Sequence, residues 1–419
     1  MANDLNKIYN SWMESKGDLM AYDYDYFHDN HSVVPVYQRV SVSAIKEASH
    51  TNIHINFFED IINRKVGYMA SNITTKVEDK KLKELIEEFN EQTKQKTMNI
   101  ESISNASISG LSHRLLYTDN GIIKIKNILG WQVVYNYKDD IYNPDEAYYY
   151  YTTTDMLGKP TYHCDIYNRN TVIYTEKTKV GDKESYIQID EQLHNFNEVP
   201  IFPFQNNNYQ TSDCSDALNI MDTYDEIISD TSGELKAARL AYLKIWGDLN
   251  TGEYDDGTEI PVPTYLKEFG TMLFGTDELG NQLGNAEFLE KKLDDTSITN
   301  MLNRLRGHIY EVSGSVDLKE LTDSTDARIF TIQASLSRLE NNSSVTEQFT
   351  KMALKKQYSL FLYWLNEFNA IKYDISEIEF QFDRVFIKDK AALADMLMKL
   401  MTVMSTIDAF TISELFDNP

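Results

Sequence analysis

The apolar positions of this chain change period along its length, and each change marks a new element. Phe57, Phe58, Ile61, Ile62, Val66 and Met69 recur at helical spacing, which predicts a core helix over 57–69. Thr75 and Glu78 have capping-box spacing ahead of Val77 to Thr97, where Leu82, Leu85, Ile86 and Phe89 form an apolar stripe among charges. This predicts an amphipathic surface helix. A third helix is expected over 100–115, with Asp119-Asn120-Gly121 as a turn beyond it. Between 114 and 190 the period becomes two: Ile123 and Ile125 alternate with Lys124 and Lys126, and Ile187 and Ile189 with Gln188 and Asp190. Turn clusters at 157–160, 168–170 and 180–182 predict an antiparallel meander. A helical layer followed by a sheet makes the fold class α+β.

Beyond 193–207 (LHNFNEVPIFPFQNN) a helical run extends over about 215–246, with a bend or restart expected where Thr231 and Glu234 bracket Gly233. Residues 250–293 form an excursion rich in Gly and acids, and a return helix is expected over 295–312. Breakers then vanish: the last glycine is Gly314 and no proline lies between Pro263 and Pro419. The stretch 328–370 therefore reads as one long helix, kinked at an internal cap formed by Asn341-Asn342-Ser343-Ser344 and Glu347. Ile378, Phe380 and Phe382 alternate as a short strand. Met396, Met398, Met401 and Met404 mark a Met-rich helix over 389–404, and Thr411 and Glu414 open another. The first 55 residues, with Tyr22, Tyr24, Tyr26 and Phe27 among Asp23, Asp25 and Asp29, read as an irregular arm.

Composition narrows the function classes. A hydrophobic share of 42% in 419 residues supports a large core, and no apolar run approaches the roughly 18 residues of a membrane span. The net charge of −25 repels phosphate, so any nucleic-acid contact must be local or loose. Two cysteines, Cys164 and Cys214, and a start without an apolar signal core point to an intracellular, reduced protein.

No catalytic motif emerges. The phosphate-cradling G-x-x-x-x-G-K-[ST] and G-x-G-x-x-G patterns are absent, as are C-x-x-C, H-E-x-x-H and G-x-S-x-G. His163 and Cys164 would face opposite sides of a strand, which defeats a Cys–His pair. His28 and His31 with Asp25 and Asp29 read as a solvated loop before a metal site. The run Tyr148 to Tyr151 reads as a packed sheet surface before a sugar-stacking platform. Among 65 acids, spacing singles out no glycosidase pair. No catalytic residue, metal or cofactor is assigned. The one dense feature is an acidic belt over 213–260, twelve acids against Lys236, Arg239 and Lys244.

Three ordered blocks carry a resemblance: FFEDIINRKVGY from Phe57, the H-N-F-x-x-V-P-I-x-P-F block from His194, and D-x-Y-D-x-x-x-S-D-T from Asp222. Together they resemble the portal protein of tailed bacteriophages, in the family common in long-tailed phages. The resemblance covers about 50–419 and is weak over 250–290. It implies an assembly and not an enzyme: a ring, usually of about twelve subunits, at one capsid vertex, through which DNA is packed and ejected. It further implies an arm (1–55), a wing (56–232), a first stem helix (233–249), a clip (250–293), a second stem helix (294–313), a tunnel loop (314–327), a wing helix and strand (328–410) and the start of a crown (411–419), the crown being largely absent.

On this template Ser315, Lys319, Thr322, Ser324, Thr325 and Arg328 would face the DNA, while Glu234, Asp248, Glu253, Asp255, Asp256 and Glu259 would supply an acidic stem and clip. SVDLKELTDSTDA departs from the family's Gly-rich loops in having no glycine. The implied partners are copies of the chain, double-stranded DNA in transit, the terminase large subunit, a head-completion or neck adaptor, and the major capsid and scaffolding proteins, with no membrane. The implied place is the virion, after assembly in the bacterial cytoplasm. The residues alone leave two other readings open, an acidic Tyr-rich carbohydrate-active enzyme and a non-catalytic intracellular adaptor.

Overall fold

The computed structural model describes residues 2–29, 53–70, 72–180, 183–238, 242–247, 284–289, 295–317, 329–368 and 372–384, with single positions at 257, 258, 261, 264, 274, 398 and 401. The chain divides into a larger unit (Met1–Ser32, Asn56–Met221, Arg306–Pro419) and a smaller one (Val33–Ile55, Asp222–Leu305).

The described part of the expected irregular arm is helical: α1 (Ala2–Trp12) and α2 (Asp18–Phe27), joined by one π-helical turn. Its aromatic and acidic residues obey helical spacing, with Met20, Asp23 and Tyr26 inward and Tyr22 and Asp25 outward. Leu5 packs with Tyr150, Cys164, Ile166 and Tyr186 of the sheet, and its carbonyl accepts from the Tyr150 hydroxyl (3.0 Å).

Helix α3 (Phe57–Met69) is the predicted core helix. The next helix differs from expectation: Thr75 lies in strand β1 (Ile73–Val77), and α4 (Lys80–Gln92) is capped by Asp79, whose carboxylate accepts from the Leu82 amide (2.8 Å). Left-handed Lys94 then starts α5 (Gln95–Ser109) earlier than expected. The helix stops at Gly110, where φ is +82° and a Cβ would lie 2.2 Å from the Gln210 carbonyl oxygen.

Strands β2 (Leu111–Asp119) and β3 (Ile122–Leu129) form a hairpin over Asn120-Gly121, both at positive φ as a type I′ turn requires. The predicted meander is β4 (Val133–Asn136), β5 (Glu146–Thr154), β6 (Pro160–Tyr167), β7 (Thr171–Val180) and β8 (Lys183–Leu193), antiparallel in sequence order. Strand β9 (Ile201–Gln205) returns to pair with β2, giving a second sheet of order β3-β2-β9. The tyrosine run divides as the pleat demands. Tyr150 packs on Tyr9 of α1, whereas Tyr149 and Tyr151 stack with each other (4.8 Å) under the Lys126 ammonium. His163 stacks on Tyr151, and Cys164 is buried on the opposite face.

Helix α6 (Leu218–Ala238) runs through the expected bend, with the Thr231 hydroxyl donating back to the Ile227 carbonyl (2.7 Å). The helical run expected over about 215–246 is described as helix to Ala238 and is not helical at Tyr242–Trp246. Tyr242–Trp246 is strand β10, paired with β11 (Asn285–Leu289), in keeping with the strand preference of Tyr, Ile and Trp. Helix α7 (Asp295–Val312) matches the predicted return helix. Helix α8 (Ile329–Phe368) runs 40 residues, about 60 Å, without a break in its assignment. The expected internal cap is not used: Ser344 donates to Glu340 (2.9 Å) and Thr346 to Asn206. Strand β12 (Ile378–Phe382) is as predicted and pairs with β1. The expected helices over 389–404 and from 411 lie outside the described residues, apart from Met398 and Met401.

The main core joins Leu82, Ile86 and Phe89 of α4, Phe202 and Phe204 of β9, and Tyr358, Phe361 and Leu365 of α8. Arg114 of β2 is fully buried beside it, its guanidinium donating to Asn99 (2.9 Å), Gln357 (2.7 Å), Ser102 (2.8 Å), Asn127 (3.0 Å) and the Met98 carbonyl (2.7 Å). Burial lowers its pKa to about 9.

Asp23 is also buried, with no hydrogen-bond partner on Oδ1 among the described residues, and burial pushes its pKa from 3.8 up to about 7. The native state therefore keeps a proton that the unfolded chain releases, so this group's contribution is full below about pH 4 and is lost as pH rises through 7. Asp23→Asn should leave the denaturation midpoint near that of the parent at pH 4 and raise it at pH 8. Parallel midpoints across that range would show that Asp23 does not titrate this way.

Candidate functional site

Two of the three sequence blocks meet within the larger unit. On α3, Lys65 sits at i+4 from Ile61 and i+7 from Phe58, which places an ammonium on the apolar face of the helix. Its Nζ donates to the Asn206 side-chain carbonyl (2.7 Å) and to both Asp213 oxygens (2.9 and 2.8 Å), and the Lys65 and Asp213 side chains are each 2% exposed. Asn206 donates in turn to Asp213 (2.8 Å) and to the Thr211 carbonyl (3.0 Å). From α8, Thr346 donates to Asn206 (3.0 Å), and Asn342 donates to Asp213 (3.4 Å) and to the Ser313 carbonyl (3.3 Å).

Through Ser313 this network reaches the end of α7. There the Gly314 amide bonds to the Glu311 carbonyl (3.3 Å) and the Ser315 amide to the Tyr310 carbonyl (2.9 Å), with Gly314 at φ +65°. This is a Schellman ending, which satisfies the last carbonyls of the helix. Helix α3 holds the same segment from the side: the Arg64 guanidinium donates to the Val316 carbonyl (2.9 Å) and the Tyr310 hydroxyl donates to Asp60 (2.7 Å). The segment 313–317 that follows α7, the root of the chain beyond it, is thus a built structure. Its groups hold shape: Lys65 is engaged by Asn206 and Asp213, and burial raises the Cys214 thiol well above its ordinary value.

In the smaller unit, the block from Asp222 holds the incoming chain. Buried Asp225 meets His54 Nδ1 (2.6 Å) and accepts from the Ile55 amide (3.2 Å), and the Ser229 hydroxyl bridges the Ile53 amide (2.9 Å) and carbonyl (3.2 Å).

Ser315, expected to face DNA, is buried in the Schellman ending. Lys319, Thr322, Ser324, Thr325 and Arg328 lie outside the described residues, as do Asp248, Glu253, Asp255, Asp256 and Glu259; Glu234 is described only as part of the α6 backbone. Sequence reasoning missed Lys65, Asn206, Asp213, Asn342 and Thr346. One signal was available, a lysine where the period of α3 demands an apolar residue.

Replacing one member of a buried ion pair strands the other, at about 3–5 kcal/mol. Lys65→Met should lower the free energy of unfolding by about that amount. The double variant Lys65→Met with Asp213→Leu should recover part of the loss. Chemical denaturation checks both, and an unaffected Lys65→Met would show that the pair is not closed in solution.

No curated protein matches this chain. The family model described as "Phage portal protein, SPP1 Gp6-like" matches residues 5–417, nearly the whole sequence, and its span contains all three blocks that converge on the two anchoring networks. The chain belongs to the phage portal protein family.

Proposed function

We propose that this chain is the subunit of a ring-shaped channel at one capsid vertex, through which DNA is packaged and later ejected. The observation that carries the reading is the family match over 5–417, and portal proteins are a structural, non-catalytic family. The ring, of about twelve copies, docks the terminase large subunit during packaging and a head-completion or neck adaptor afterwards, with the major capsid and scaffolding proteins around it. Assembly takes place in the bacterial cytoplasm. No described helix is long and apolar enough to cross a membrane.

On this reading 56–232 is the wing, the end of α6 up to Ala238 is the first stem helix, 250–293 is the clip and 294–313 the second stem helix. Residues 314–327 are the tunnel loop, and there and just beyond it Lys319, Thr322, Ser324, Thr325 and Arg328 touch passing phosphates briefly. Glu234, Asp248, Glu253, Asp255, Asp256 and Glu259 repel the duplex and keep it centred. A wall that must pass kilobases of polyanion works best when it does not bind it. The net charge of −25 fits that requirement.

Two outcomes test this. Native mass measurement should give about 580 kDa for twelve copies of 48.5 kDa, and micrographs should show rings with a central hole. A strict monomer that stays so in the presence of capsid and scaffolding proteins would overturn the reading. Charge reversal to Lys at Asp248, Glu253, Asp255 and Asp256 should slow packaging at low salt and less so at high salt, where screening shortens to about 8 Å or below. Packaging that is unchanged at every salt concentration would remove the role of these acids.

A further inference from the structure

We infer that Arg306 and Asp317 form a positioning clamp that fixes the start of the chain beyond 317 to α7, an inference that rests on the channel reading above. Arg306 lies in the second half of α7, and Asp317 is eleven residues on. The guanidinium grips both carboxylate oxygens, Nε to Oδ2 at 2.5 Å and Nη2 to Oδ1 at 2.8 Å. Asp317 is deeply buried, its side chain 4% exposed. Arg306 also lies over two rings, with its guanidinium carbon 5.9 Å from the Phe57 ring centroid and 5.6 Å from that of Tyr310.

The two-point grip matters because a fork-to-fork pair fixes direction as well as distance. The single bond from Arg64 to the Val316 carbonyl restrains position, but leaves the chain free to swivel about it. With Asp317 gripped at two oxygens, the chain leaves the root in a direction set by α7. Asp317 is therefore tied to α7, and the chain that follows starts from a point fixed to that helix. A clamp with no such role would only staple the helix end in place. The two cases differ in what happens when the charges are exchanged and when the carboxylate is moved by one methylene.

The test uses the full chain with capsid, terminase and DNA, and compares Arg306→Ala, Asp317→Asn, Asp317→Glu and the exchanged pair Arg306→Asp with Asp317→Arg. Ring assembly, hydrogen exchange of 313–317 and packaging rate are measured for each. The single variants should form rings, exchange the root about 10- to 100-fold faster and package about tenfold more slowly. The exchanged pair should return both readouts to within about twofold of the parent. Asp317→Glu keeps the charge but displaces the root, so it should assemble normally and still package slowly. Intact rings that package at the parental rate in all variants would overturn the clamp, as would an exchanged pair that protects the root without restoring packaging. If Arg306→Ala and Asp317→Asn fail to assemble, Asp317→Glu decides alone: slow packaging supports the clamp and a parental rate overturns it. If the parent itself forms no ring and passes no DNA, the channel reading fails; the exchange data then decide whether the pair holds the root.

Discussion

A single buried ammonium constrains how this chain can assemble. Taking Lys65 and Asp213 out of water costs several kcal/mol for each ion, and their attraction repays this only if geometry and extra hydrogen bonds are right. Asn206, Asn342 and Thr346 supply those bonds, and they come from two elements distant in sequence. A helix register shifted by one residue would bury the same charges without partners. The pair therefore does more to exclude wrong arrangements of α3, the 206–213 segment and α8 than to add net stability.

A second buried cation works differently. Arg114 has no carboxylate among its hydrogen-bond partners; Asn99, Asn127, Gln357, Ser102 and the Met98 carbonyl share its charge, and the Phe204 ring lies 4.5 Å beneath it. Neutral acceptors stabilise a guanidinium less than an anion does, which is why burial pulls it down to about 9. Gln357 lies on the same helix as Asn342 and Thr346. Helix α8 is thus read at two points along its length by two cations on different elements, one on α3 and one on β2.

What the sequence revealed follows from how local each signal is. The meander, the Asn120-Gly121 turn, α3, α7 and β12 were legible because period and turn chemistry are written within ten residues or so. The boundaries of α4 and α5 were not: Asp79 outcompetes Thr75 as a cap, and Gly110 ends α5 because the Gln210 carbonyl lies against it, a contact a hundred residues away. Helix α6 ignored its internal glycine, and α8 its apparent cap, since Thr346 found a buried partner in Asn206. The anchoring networks were the least legible part. Asn206 and Asp213 look like ordinary loop residues until Lys65 is brought to them. The D-x-Y-D-x-x-x-S-D-T block was recognised as a pattern, while the work of Asp225 and Ser229 in holding 53–55 could not be read from it.

The pairing of β2 with β9 sets an order on synthesis. Leu111 faces Gln205 across the sheet, and the whole five-stranded meander is threaded between them in sequence. As the polypeptide leaves the ribosome, β2 can meet β3 at once but must wait some ninety residues for its other neighbour, and the core it belongs to waits for Tyr358 and Leu365. Until β9 emerges one edge of β2 is unpaired, and until α8 emerges Leu116 and Phe204 lack their covering helix. Nascent subunits should therefore be captured by chaperones after the meander has closed and before α8 has emerged.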